Sequence, residues 1–427
     1  MAIFYLFLGL LALTVIDVPI AVGLGVCAAV GITITQGTDA LANIGVDMYH
    51  GATSFPLLAV PLFILSGAIM NASGISRRLI AFVTALVGFV RGGLSIVSIV
   101  TSMFFAEISG SAVADVAALG SILIPAMKAK HYPTEFAAAV MSSAATLAVI
   151  IPPSIPMVLY AVMADTSVVQ LFVAGIVPGI IGGFLLMAVA YAFAVKYNYP
   201  VEEAFRLSQV ARTFRDAIWA FVLPIIILGT IFGGIVTATE GAGMAVLAAF
   251  VVGALIYREL DLRQLKEAMV EGAIQTAVVM LLVASSTVVG SFLTEMQAPQ
   301  QLAAAITGFT HDKIVVLLLL NVLFLFLGLF LHSAAAIILT VPIVLPLVKA
   351  VGIDPVHFGL IVTINLGIGQ QTPPVASVLM TASAIAKADI WAVTRVNVWF
   401  VMVLVFVLAL CTYVPFVPMA LVDHFYR

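Results

Sequence analysis

Charge is what this sequence most lacks. Only 9% of its 427 residues are Asp, Glu, Lys or Arg, against about 25% in soluble domains. Since 63% of the residues are hydrophobic, too few charged side chains remain to cover a water-facing surface. The bilayer must therefore be the solvent for most of the chain, which excludes a soluble protein. We predict no nucleic-acid partner.

Cysteine and catalytic motifs are scarce as well. Cys27 and Cys411 lie in separate apolar runs, without a CxxC pattern or a Cys/His cluster, so neither a disulfide framework nor a metal centre is indicated. No nucleophile–base pair or phosphate-binding glycine loop occurs, which disfavours an ATP-driven pump and predicts that the chain is not an enzyme. The N-terminus lacks a basic region before its long apolar stretch, so we interpret it as a retained span.

Long apolar runs separated by breakers predict an all-α polytopic membrane protein. Crossing helices are predicted over residues 2–34, 54–72, 134–164, 168–195, 217–236, 241–257, 272–295, 356–386 and 390–422. Residues 76–90 begin close to Arg77 and Arg78 and are amphipathic, so they are predicted to lie along the membrane surface.

Two further apolar stretches have small, polar centres. Residues 92–133 are centred on Ser109-Gly110-Ser111, and residues 313–355 on His332-Ser333. Each arm has roughly 15 residues, fewer than the about 20 that cross the hydrocarbon. Both stretches are therefore predicted to be re-entrant hairpins, with tips that line a polar cavity at membrane depth.

Each hairpin is followed by a helix that prolines interrupt, at IIPPSIP (150–156) and GIGQQTPPV (367–375). Proline removes a backbone donor and blocks the pairing of the preceding turn, so both helices are predicted to be broken. Pro125, Lys128 and Pro152 recur as the same residue types 221 positions later. This register predicts an internal duplication, as in transporters built from repeats.

The number of crossings gives the orientation of the repeats. Five crossings are predicted from the span at 54–72 up to, but not including, its partner at 272–295. Because five is an odd number, the second repeat is predicted to have the opposite orientation in the membrane. With the N-terminus in the cytoplasm, 14 of the 17 basic residues fall on the cytoplasmic side, as the positive-inside rule requires. The first hairpin is then predicted to enter from the cytoplasm and the second from outside, with the C-terminus in the periplasm.

Three stretches resemble the large membrane subunit of TRAP (tripartite ATP-independent periplasmic) transporters, the DctM type: SGSAVADVAALG at 109–120, IIPPSIPMVLYA at 150–161 and GIGQQTPPVASVLM at 367–380. The resemblance implies an elevator-type, Na⁺-coupled importer of organic acid anions in the bacterial inner membrane, with a fold like that of the ion transporter superfamily. It also implies two partners, a small four-helix membrane subunit and a periplasmic substrate-binding protein. Because the chain begins at the large subunit, we expect the small subunit to be a separate polypeptide.

The resemblance further implies two or more Na⁺ ions near the hairpin tips and the helix breaks, where carbonyl and hydroxyl oxygens are available. The first site would contain Ser109, Gly110, Ser111, Pro152 and Pro153. The second would contain His332, Ser333, Ala334, Gly367, Gly369 and Thr372. The organic acid would contact Ser109, Ser111, Asp115, Ser154, His332 and Gln370.

A division into moving and fixed parts follows from the same pattern. Residues 91–165 and 312–387 are predicted to form the transport domain. Residues 1–90, 166–311 and 388–427 are predicted to form the scaffold that the small subunit holds. The predicted cavity contains no Lys or Arg, which favours a monocarboxylate such as sialic acid over a C4-dicarboxylate.

Three alternatives remain open from the residues. The first is a self-contained Na⁺/dicarboxylate symporter that needs no binding protein. The second is an intramembrane enzyme, for which Glu107 and Asp115 are the candidate pair. The third is a channel, which saturable and concentrative transport would exclude.

Overall fold

A computed structural model describes residues 6, 8–10, 12–13, 16, 18–201 and 205–426, and the side chains of 108 and 109 lie outside the description. Within these residues the chain is helical, without strands. The helices are α1 (Ile20–Gln36), α2 (Ala42–Ala52), α3 (Ala59–Ala72), α4 (Ile75–Val87), α5 (Gly93–Ser109), α6 (Ala112–Ala129), α7 (Thr134–Thr146), α8 (Ile155–Met163), α9 (Val168–Lys196), α10 (Leu207–Phe232), α11 (Ala238–Ile256), α12 (Leu262–Glu295), α13 (Ala298–Phe309), α14 (Lys313–Phe330), α15 (Ser333–Ala350), α16 (Pro355–Gly369), α17 (Ser377–Ala386), α18 (Ile390–Tyr413) and α19 (Phe416–Tyr426).

The predicted single span at 2–34 is wrong. The chain turns before Pro19, the residue that precedes the first turn of α1. Gly9 lies against α1, since a Cβ on it would be 3.4 Å from Cys27 Sγ. In one continuous helix these two residues would be about 27 Å apart. The helical residues before the turn therefore fold back along α1 as an antiparallel partner.

Six of the other predicted crossings coincide, with shifted ends, with helices that are long and apolar enough to cross a membrane, whereas the predicted crossings at 134–164 and 356–386 consist of shorter helical segments. Helices α10 and α12 begin at Leu207 and Leu262, ten residues before the predicted starts, because they continue through the polar segments outside the membrane. The last span ends at Tyr413 because Pro415 interrupts it before α19. Nine helices of the described residues are long and apolar enough to cross a membrane, and three of these are hairpin arms.

Both predicted hairpins are present. The first hairpin is formed by α5 and α6, and the second by α14 and α15. Their arms have 17 or 18 residues, longer than predicted. Gly110 reverses the chain at the first tip with a left-handed φ of 59°, which glycine adopts without a Cβ penalty. At the second tip the His332 ring accepts a hydrogen bond from the backbone N–H of Ala334 at 3.4 Å.

Both predicted broken helices are present as well. The first consists of α7 and α8, the second of α16 and α17, and each break contains a cis bond between two prolines. Tyr160, near the end of the first, donates a hydrogen bond to the Pro355 carbonyl at the start of the second, at 2.8 Å. Conversely, Lys128, just before the first, donates to the Ala386 carbonyl at the end of the second, at 2.7 Å. The two units are therefore antiparallel, as inverted repeats require.

The packing forms two groups of helices. Helices α9 and α18 pack on each other and on the broken helices, although both fall in the predicted scaffold segments. Helices α1, α2, α3, α11 and α12 form the second group. Helix α4 joins α3 to the first hairpin, and α13, which the sequence reading did not predict, precedes the second hairpin and packs on α15. The division into transport domain and scaffold stays a prediction.

Candidate functional site

A cavity of about 720 Å³ lies between the two hairpin tips, and we call it the central cavity. Gly110 and Ser111 of the first tip line its inner end together with His332 and Ser333 of the second. The cavity extends past α3 and α12 to Arg77. The sequence analysis predicts that Arg77 lies on the cytoplasmic side, so the open end of the cavity is predicted to face the cytoplasm.

Three helix N-termini converge on the central cavity. The first residues of α6, α8 and α15 all line it: Ala112, Ile155 and Ser333. The first N–H groups of a helix have no intrahelical partner, and the helix dipole places roughly half a positive charge there. The inner end of the cavity is therefore suited to an anion although no Lys or Arg lies at the tips.

The first hairpin tip contacts the first helix break directly. The Gly110 carbonyl accepts a hydrogen bond from the backbone N–H of Ile155 at 3.3 Å. A Cβ on Gly110 would lie 2.9 Å from the Pro153 carbonyl oxygen. Ser111 caps α6 by accepting from the backbone N–H of Ala114 at 3.5 Å. The structure thus brings together Gly110, Ser111 and the proline break.

Not every residue predicted for the first tip faces the cavity. Ser154 is fully buried, and its hydroxyl donates to the Val149 carbonyl at 3.0 Å rather than lining the cavity. Asp115 is also fully buried and lies behind the lining residues of α6. Glu107 is partly buried and does not line the cavity either. The side chain of Ser109 lies outside the described residues.

The second hairpin tip is joined to the second break by side chains. The Gln370 amide donates a hydrogen bond to the Ser333 hydroxyl, and both residues line the central cavity. Next to this contact the two backbones touch, since a Cβ on Gly328 would lie 3.0 Å from the Gly369 Cα. The structure therefore brings together four of the predicted site residues: His332, Ser333, Ala334 and Gln370.

Two residues predicted for the second site lie differently. Gly367 packs against the first broken helix, where a Cβ on it would be 3.0 Å from Thr146 Cγ2. The Thr372 hydroxyl donates to the Ile368 carbonyl at 3.0 Å. Neither residue lines the central cavity.

The groups at both tips fit a hard cation, which prefers oxygen ligands. At the first tip the available groups are backbone carbonyls and the Ser111 hydroxyl. In the second broken helix, Asn365 Oδ1 is buried and receives no hydrogen bond from the described residues, whereas its Nδ2 donates to Asn321 Oδ1 at 2.8 Å. A buried acceptor without a donor is costly unless a water molecule or a cation satisfies it. Asn365 is not among the residues predicted from the sequence, although a polar residue in an apolar helix is a visible signal.

The prediction that the cavity contains no Lys or Arg is wrong. Arg77 lies on α4 at the open end, where it forms an ion pair with Glu259 at 3.0 Å. Asn71, Glu271 and Gln275 also line this end and were missed. Together with Arg77 these residues belong to α3, α4 and α12, which are predicted from the sequence only as scaffold or surface helices.

Residues 7–417 match the family model "Tripartite ATP-independent periplasmic transporter, DctM component". The chain belongs to the DctM family. Its family and its candidate membrane spans together make the chain a multi-span protein of the inner membrane.

Several relatives in this family are named permeases. The isethionate TRAP transporter permease protein DctMQ of Oleidesulfovibrio alaskensis is 41% identical over 95% of this chain, which spans 64% of that protein's length. The C4-dicarboxylate large permease DctM of Pseudomonas aeruginosa is 38% identical over 90% of each chain. The sialic acid large permease SiaM of Vibrio cholerae is 36% identical over 95% of each chain.

The fold of this DctM-family chain is also found in a solved structure. The crystal structure of the YdaH transporter from Alcanivorax borkumensis superposes with a TM-score of 0.64 over 89% of each chain. Sequence identity is only 16%, so the likeness concerns the fold alone.

Proposed function

We propose that this chain is the large permease of a Na⁺-coupled secondary importer of organic acid anions. The convergence of three helix N-termini on one cavity carries this proposal, because a substrate acid group would be stabilised there by backbone donors. Arg77 adds a positive side chain on the path to the cytoplasm. The relatives named for isethionate, C4-dicarboxylate and sialic acid share an acidic substrate, and this class is what we carry over.

In this proposal the coupling ions bind at the two hairpin tips. Gly110, Ser111 and the carbonyls of the first break would hold one Na⁺. Ser333 and the second broken helix, with Asn365, would hold another. Bound cations offset the charge of the substrate, which supports joint movement of ion and anion across the membrane.

The proposed moving unit contains the two hairpins, the two broken helices, α9 and α18. The packing of α9 and α18 on the broken helices supports their inclusion. The scaffold would then be α1–α3 and α10–α12, with α4 and α13 as the links to the hairpins. The small membrane subunit would bind the scaffold, and a periplasmic binding protein would deliver the substrate.

The proposal is tested by reconstituting the chain with its small subunit in liposomes, with binding protein and candidate acids outside. Replacement of external Na⁺ by choline should abolish concentrative uptake. Equal uptake in choline would overturn the coupling, and full uptake without binding protein would favour the self-contained symporter. Ser111→Ala should raise the Na⁺ concentration needed for half-maximal uptake, whereas Ser121→Ala, at the open end of the same cavity, should not.

A further inference from the structure

A second concavity, of about 650 Å³, lies outside the central cavity where α4, α10 and the loop after α11 meet. We call it the arginine pocket, because Arg77, Arg78 and Arg215 line it. Its other lining residues are Ala81, Thr213, Asp216, Trp219, Ile256, Tyr257 and Glu259. Arg77 lines both this pocket and the central cavity, but none of the residues predicted to bind Na⁺ or the organic acid belongs to the arginine pocket.

The arginine pocket carries an excess of positive charge. Its three arginines face two carboxylates, Asp216 and Glu259. Glu259 is shared, since Arg77 binds it at 3.0 Å and Arg78 at 2.5 Å. Arg78 is held further by the Tyr257 ring, 3.8 Å below its guanidinium carbon. Arg215 is exposed and has no carboxylate partner among the described residues, so its guanidinium is available to a ligand.

The position of the pocket indicates the kind of ligand. Arg215 and Trp219 are one helical turn apart and therefore share a face of α10. Phe214, Ile218 and Trp219 expose 43%, 39% and 39% of their surface around this face. Tryptophan is typical of the headgroup level of a membrane. Apolar side chains next to an arginine at that level would contact acyl chains while the guanidinium stays among headgroups.

We propose that the arginine pocket binds the headgroup phosphate of an anionic glycerophospholipid in the cytoplasmic leaflet. One guanidinium group can bind two phosphate oxygens at the same time. Basic pockets between helices on the cytoplasmic side of the membrane are suited to acidic headgroups. The phosphate would compete with Glu259 for Arg77. Because α4 connects the scaffold to the first hairpin, a bound lipid would tie this connection to the membrane surface. This proposal does not depend on the transported substrate.

Native mass spectrometry of the full-length chain in detergent tests the proposal, with phosphatidylglycerol or phosphatidylcholine of identical acyl chains added. Phosphatidylglycerol should bind more tightly. Arg215→Gln should weaken its binding about fivefold, the effect of one basic residue at a membrane surface. Arg212→Gln removes the same charge from the same helix outside the pocket and should change binding little.

A second variant separates the proposal from misfolding. Glu259→Gln removes the competing carboxylate, so phosphatidylglycerol should bind more tightly although two ion pairs are lost. Three results would overturn the proposal: equal binding of phosphatidylglycerol and phosphatidylcholine, equal weakening of phosphatidylglycerol binding by Arg212→Gln and Arg215→Gln, or weaker phosphatidylglycerol binding by Glu259→Gln. Displacement of the lipid by an equal concentration of glycerol 3-phosphate would also overturn it, in favour of a soluble anion.

Discussion

At the scale of single residues, the missing side chain of Gly110 decides how closely the first hairpin approaches its break. In Gly110→Ala the left-handed φ costs roughly 1 kcal/mol, and the new Cβ would lie 2.9 Å from the Pro153 oxygen. We expect lower uptake in proteoliposomes and a lower thermal midpoint. Gly229→Ala is the control, because a Cβ there meets nothing within 4 Å. Wild-type uptake by Gly110→Ala would contradict the close contact.

A buried polar cluster fixes α18 on the two broken helices. The Ser143 hydroxyl lies 2.7 Å from Gln371 Oε1 and 2.8 Å from Asn397 Oδ1. Asn397→Leu should lower the free energy of unfolding by about 1–2 kcal/mol, because the buried partners lose their hydrogen bonds. Thermal unfolding in detergent measures this loss. Gln300→Leu, on the exposed side of α13, is the matched control, and equal midpoints for the two variants would refute the expectation.

At the scale of elements, the attachment of α4 to the loop after α11 depends on one carboxylate. The hydrogen bond from Arg78 is the main cause that lowers the pKa of Glu259 below its ordinary value of 4.5. A lowered pKa means that the stabilisation is complete above 4.5 and is lost as the pH falls through the lower folded value. The thermal midpoint of Glu259→Gln should therefore lie below that of the wild type by a constant amount from pH 7 to pH 5, and the gap should shrink below pH 4.5.

The same measurement on Glu267→Gln provides the comparison. Glu267 pairs with Arg263 on the exposed surface of α12, at 2.9 Å, where ion pairs contribute little. Its midpoint should follow the wild type at every pH. A gap that stays unchanged for Glu259→Gln down to pH 3 would show that the carboxylate charge does not hold α4.

The elements that the sequence predicted well are those with a strong local cause. Pro152 and Pro373 remove backbone donors, so both breaks could be located to a few residues. The fold-back before Pro19 could not be predicted, because the residues on both sides are uniformly apolar and only packing against α1 reveals it. Likewise α13 has too weak an apolar pattern to stand out, and its helix is fixed by contact with the second hairpin.

At the scale of the whole molecule, the central cavity opens on one face, which labelling can test. In a background with both native cysteines replaced, Ala117→Cys on α6 should react with a membrane-impermeant maleimide in inside-out vesicles. Ala117 is exposed and lines the cavity. Ala305→Cys, on the exposed side of α13 beyond the opposite end of α12, should react only in right-side-out vesicles. Equal labelling of Ala117→Cys from both sides would contradict a cavity with one opening.

The site could be predicted only as far as the repeat reached. The repeat placed Ser111, Ser333 and Gln370 at corresponding tips and breaks, and the family resemblance implied their roles in binding. Arg77 and Gln275 lie outside the repeat motifs, on helices that the sequence marks as surface or span, and only the folded arrangement brings them to the cavity. Three-dimensional proximity of distant segments leaves no trace in local composition.

The two repeats, each a hairpin and a broken helix, have the same fold in opposite orientations, so each can adopt the conformation of the other. If the first hairpin and its broken helix took the conformation that the second pair has now, and the second pair took that of the first, the opening on the basic face would close. An equivalent opening would form on the other face, with the same residues at its inner end. In such an exchange the antiparallel contacts of Tyr160 with Pro355 and of Lys128 with Ala386 would be replaced by their counterparts in the other repeat.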